Sequence, residues 1–140
     1  MPFSQYFATA VLNWFKDTAF PTDLATIFIS IHSGDPGVAG TSNDITNSVR
    51  GTANRVSVAA SALGTVGAAG GGGFQISNTG TVQITASASN GSPVTATHFG
   101  IWDAITGGNF LASGSLNTSV SIVSGDTVQF NAGAMAIKVV

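Results

Sequence analysis

From Phe74 to its end the chain is built of short apolar and β-branched runs that recur at close spacing, separated by Gly, Asn and Ser. Runs of this kind, at 74–77, 81–86, 94–102, 110–116, 120–123, 127–131 and 134–139, are too short for helices. They carry the turn residues that close antiparallel pairs. Asn78-Thr79-Gly80 and Asn90-Gly91 are turn signals, the second a candidate two-residue hairpin. The pattern predicts an antiparallel β-sandwich or jelly-roll-like barrel, formed as a single domain over residues 1–140.

The first twenty residues have a different period. Phe3, Tyr6, Phe7, Ala10, Val11, Trp14 and Phe15 repeat at three and four residues, one face of a helix. Ser4 is placed to cap its start and Pro21 to stop it after Phe20. So many large aromatics on one face predict that the helix covers one side of the β-core, with Trp14 and Phe15 buried. Docking on a neighbouring subunit is the alternative. Residues 24–32 are continuously apolar, a strand buried on both faces, and Gly34-Asp35-Pro36-Gly37 turns the chain after it. Residues 38–54 read as a long polar, irregular connection. Residues 55–63 alternate as a strand, and 64–73, ending in four glycines, read as an irregular loop, either mobile or packed where only glycine fits.

Composition narrows the function. Only 7% of residues are charged, Glu is absent, and Gly accounts for 18 of 140 positions. About a quarter is usual for charge in soluble domains. A surface so neutral suits a protein packed against other subunits, and a homo-oligomer is expected. The net charge of −2, with Lys16, Arg50, Arg55 and Lys138 as the only cations, argues against nucleic acid. No run is long enough to span a bilayer. The start, Met1-Pro2-Phe3, lacks the basic opening of a secretory signal, so synthesis and incorporation in a cytoplasm are expected. The cysteine count of zero removes disulfides and thiolate chemistry together.

Candidate chemistry fares poorly against structural explanations. His32 and His98 precede Asp35 and Asp103, yet a zinc site needs three or four converging ligands. No Gly-x-Ser-x-Gly elbow supports a triad, and the six Asp residues form no pair suited to glycoside hydrolysis. The run Gly67-Ala68-Ala69-Gly70-Gly71-Gly72-Gly73 lacks the Lys and Ser/Thr of a phosphate loop. Asn90-Gly91-Ser92 and Asn117-Thr118-Ser119 fit a glycosylation sequon but indicate only exposed turns. Asp103 and Asn109 bracket a loop whose backbone they can hold, with Gly107-Gly108 supplying positive φ. No catalytic, cofactor or metal residue, and no cofactor, is expected.

Two segments carry a specific likeness: His98-Phe99-Gly100-Ile101-Trp102-Asp103-Ala104-Ile105-Thr106-Gly107-Gly108-Asn109-Phe110-Leu111 and Ser124-Gly125-Asp126-Thr127-Val128-Gln129-Phe130-Asn131-Ala132-Gly133-Ala134. They resemble a family of small structural proteins of tailed-bacteriophage virions, labelled phage tail fibre proteins, whose relatives also serve as capsid decoration, or cement, proteins. Residues 27–37 are similar to the family's early strand and its Asp-Pro-Gly turn. Ala53-Asn54-Arg55 stands where the family often has Tyr-Ala-Arg. The resemblance implies a virion protein without enzymatic activity, with the major capsid protein or other virion proteins as partners. A compact chain without a fibrous repeat favours a cement protein stabilising the shell. Tail fibre, baseplate or neck component is the alternative, with a host-glycan-binding module beside it. That module would need an exposed aromatic next to polar loop residues, whereas Trp14 and Trp102 both read as core.

Overall fold

A computed structural model describes residues 3–87 and 93–139. The protein is mainly β and antiparallel, with a helix at its N-terminus. Helix α1 (Gln5–Trp14) starts as expected, the Phe7 amide donating to the Ser4 hydroxyl at 3.0 Å. It ends before Pro21 is reached. Asp17 takes a left-handed conformation, its amide bonds Trp14 and that of Thr18 bonds Asn13. This closure satisfies the last carbonyls and locks the final turn.

The central sheet runs β2-β1-β6-β7 and comprises β1 (Thr26–His32), β2 (Val56–Ala59), β6 (Val94–Trp102) and β7 (Phe110–Ile122). Across from it lie a three-stranded sheet and a pair of strands. The sheet is β3 (Gly67–Ala68), β4 (Phe74–Ser77) and β9 (Ala136–Val139), and β5 (Val82–Thr85) pairs with β8 (Thr127–Phe130). Alternate residues of the central sheet, Ile27, Ile29, Ile31, Phe99 and Ile101, meet Val82, Ile84, Val128 and Phe130 in one apolar core. This is the β-sandwich that the strand pattern anticipates.

Several local expectations are revised. The runs at 110–116 and 120–123 form one strand, β7, kept continuous by a bulge: Ala96 faces Val120 while His98 faces Ser115. The connection at 38–54 is not irregular throughout. It contains α2 (Thr46–Arg50), preceded by an Asp44 carboxylate that accepts from the Thr46 amide at 2.7 Å and closed by Gly51 in the left-handed region. Val49 of α2 is fully buried. The same segment completes β1 where β2 ends. Ile45 donates to Ile31, Ser33 to Asn43, and the Ile31 amide to the Thr46 hydroxyl at 3.0 Å. A buried strand must pair its backbone somewhere, and this is where β1 does so.

The segment at 64–73 carries β3, paired with β4 at Gly67↔Gln75 and Ala68↔Phe74, so it is structured rather than a free loop. The strand expected at 55–63 is shorter, giving way to a 3₁₀ turn at Ala60–Ala62. Both the Asn90-Gly91 hairpin and the sequon at Asn90 lie outside the described residues. The strands flanking that segment, β5 and β6, do not pair with each other.

Candidate interaction surface

The second face of β1 is where the sheet departs from an ordinary half-buried pattern. Ser30 and His32 point there, both fully buried, alongside Trp102. The Ser42 carbonyl can only accept, so His32 donates to it from Nδ1, over 2.8 Å. The neutral ring then accepts at Nε2 from the Ser30 hydroxyl at 2.7 Å, and Ser30 accepts in turn from Trp102 Nε1–H at 2.9 Å. Every polar atom of this chain finds a partner, the condition for a buried network to be tolerated. Burial pushes the His32 pKa below the ordinary imidazole value. The Ser42 bond and Asp44 act against that, while His98 and Arg55 reinforce it.

Gly100 makes the network possible. It lies opposite Ser30, and a Cβ there would come within 2.5 Å of the Ser30 hydroxyl and 3.0 Å of the Phe110 ring. His32 and His98 face one another across β1 and β6, but their rings have separate partners, His98 contacting the Thr97 hydroxyl at 2.8 Å. Neither Asp35 nor Asp103 joins them. Asp35 accepts from Gly37, and Asp103 holds the tip between β6 and β7. Among the described residues, no group of three or more His, Asp, Glu or Cys is placed to hold a metal. No described helix is long and apolar enough to cross a membrane.

That tip, residues 103–109, is held more firmly than its glycines suggest. The Asp103 carboxylate accepts from the Asn109 amide at 2.6 Å and from its side chain at 2.7 Å. Gly107 and Gly108 take positive φ as expected. Sequence reading missed the third lock, Arg55. Its guanidinium lies 3.6 Å from the Trp102 ring centroid and donates to the carbonyls of Ala104 and Gly107, both at 2.8 Å. Burial lowers the Arg55 pKa, while Asp44 and Asp103 oppose the shift. The tip presents exposed Ile105 on a frame whose charges are already spent internally.

The other two motif turns are built in the same way. Asp126 accepts from the Val123 amide at 2.9 Å across Ser124-Gly125. Asn78, the first residue of a turn signal in the sequence, is buried. It donates to Gly80 and Asn131 and accepts from Met135, clamping the turn around Gly133. The shared motif is thus a set of turn locks.

The largest departure from expectation is α1. It packs on β7 through its first turns, and Phe3 and Phe7 are half-buried. Beyond them the same apolar face loses its cover. Trp14 is 57% and Phe15 73% exposed, so their expected burial is wrong, whereas Trp102 at 6% is core as expected. The rings still touch in series: Phe3 on Phe7 at 4.6 Å, Phe7 on Phe20 at 5.7 Å, Phe20 on Trp14 at 6.4 Å and Trp14 on Phe15 at 5.6 Å. A continuous aromatic ladder therefore leads from the sandwich to solvent.

The structure is a β-sandwich with turns locked from within and with an exposed aromatic face on its N-terminal helix. The particular lineage follows from comparison. The chain belongs to the family described as Podophage GP4 fiber I protein gp80, whose family model matches residues 2–138. It is a structural component of the bacteriophage virion. No curated protein matches it.

Proposed function

We propose that this chain is a non-enzymatic fibre subunit, one domain over residues 1–140, that holds its place on the particle by apolar and neutral contacts. The observation that carries this reading is the exposed aromatic face of α1 on a chain with only 7% charged residues. An exposed apolar patch of this size on a small chain is commonly an interaction site. No catalytic, cofactor or metal residue is assigned, and the partners are other virion proteins, synthesised and assembled with it in the host cytoplasm. The family supports a fibre over the capsid cement role that compactness favours. Trp14 meets one requirement of a glycan-binding module by being exposed. Its neighbours, however, are the Phe15 and Phe20 rings, which suit protein better than sugar.

The test is to prepare particles lacking this protein, then measure adsorption to host cells and the temperature of genome release. A fibre subunit leaves the release temperature unchanged and lowers adsorption. A cement protein lowers the release temperature, because it binds the assembled shell and stabilises it by mass action. Reattachment of purified protein to such particles is expected to vary little with salt, since screening acts mainly on exposed charges.

A further inference from the structure

The two halves of the sandwich do not close fully. Beside α1 an apolar cleft of about 270 Å³ opens between the central sheet and the β3-β4-β9 sheet. Leu24, Leu63, Val66, Phe74, Ile137 and Val139 line its walls, and no charged residue is among its lining. Val66 and Phe74 stand largely exposed at its mouth. A dry apolar cavity of roughly 150 Å³ holds a benzene ring, so this cleft has room for a large aromatic side chain.

The same chain offers such a side chain. Trp14 and Phe15 project from the last turn of α1, which the Asp17 closure holds in place. Docking them costs little ordering, since the helix is already set. We propose that the protein self-associates by seating the Trp14–Phe15 knob of one copy in the apolar cleft of a second copy. The size of the surface is appropriate to this. Tyr6, Trp14, Phe15 and Phe20, at about 150–250 Å² each when whole, together expose on the order of 400 Å². When two copies engage reciprocally, each contributes its own cleft rim of Leu24, Val66 and Phe74 as well as its knob, and the apolar area then approaches the roughly 800 Å² per partner of a stable interface. Charge agrees as well, because α1 carries no charged residue at all and neither does the cleft. A second copy is the occupant that supplies both complementary surfaces at once. This inference stands apart from the mounting position on the virion.

The experiment is sedimentation of the purified full chain. Wild type is expected to form a concentration-dependent oligomer. Trp14→Ser with Phe15→Ser removes the knob, and Val66→Asp places a charge at the cleft mouth. Each variant should weaken self-association on the order of 30-fold or more, the scale of a central hot spot. Both keep wild-type circular dichroism, and they keep the wild-type unfolding midpoint at dilutions where wild type is monomeric, because the substituted side chains are exposed in the monomer. Mixing the two variants should restore association in part, since one still has a cleft and the other still has a knob, leaving one contact per mixed pair. A monomeric wild type, an oligomer that survives both variants, or a mixture that fails to associate would each overturn the proposal.

Discussion

At the scale of single residues, stability rests on close approaches that tolerate no added atom. Gly100 is the sharpest case, with Ser30, His32 and Phe110 all crowding the place of a side chain. Gly100→Ala is expected to destabilise by about 1–3 kcal/mol, the usual cost of overpacking, measured by urea unfolding. Gly40 has a comparable role, its positive φ letting the loop pass over the Phe110 ring. The buried imidazole gives a pH signature. Because the His32 pKa is lowered on folding, the unfolded chain binds the extra proton first as pH falls. Stability is therefore full above about 6.5, the ordinary imidazole value, and is lost progressively as pH drops below it. Unfolding midpoints between pH 7 and 5 should show that decline. It should flatten in a variant that replaces His32, if that variant folds.

At the scale of elements, the tip between β6 and β7 is a hairpin end fastened by a residue that immediately precedes another strand, β2. Arg55 reaches it across a sequence separation of 49 and 52 residues to its two carbonyl acceptors. Planar geometry is what lets one guanidinium stack on Trp102 and donate twice. An ammonium cannot do both. Arg55→Lys is therefore expected to leave the fold intact while amide exchange at residues 105–108 accelerates several-fold, read by hydrogen–deuterium exchange. Equal exchange rates would mean that Asp103 and Asn109 alone hold the tip. In β7, continuity across the bulge follows from its partners on both sides, β6 along most of its length and Met135 at Leu116.

At the scale of the whole molecule, the apolar surface is divided between a closed core and an exposed helical overhang. Trp14 looks like a core residue by spacing, and truncation of a buried Trp costs about 3–5 kcal/mol. Since it is more than half exposed, Trp14→Ala should lower the unfolding free energy of the monomer, measured in urea, by less than about 1 kcal/mol. The effect should appear instead in association. A loss near the core value in monomeric protein would mean that the overhang folds back onto the sandwich in solution.

The local signals in the sequence were reliable where local physics decides the outcome. Alternation and turn chemistry located β4 and β6 to the residue, Ser4 capped α1, and Asp103, Asn109 and the paired glycines built the tip as their side chains allow. A strand's face alternation and a cap's hydrogen bond involve only near neighbours, so they are written in the chain itself. The tertiary structure alone decided which strands pair, β5 with β8 rather than with the next strand β6. It also decided that α2 forms, that Asn78 is buried, and that Arg55 reaches the tip. The exposure of Trp14 and Phe15 belongs with these. Periodicity states that a helix has an apolar face, but the length of sheet beneath it determines how far along that face the cover extends. Burial depends on contacts between residues far apart in sequence, and those exist only once the chain has folded.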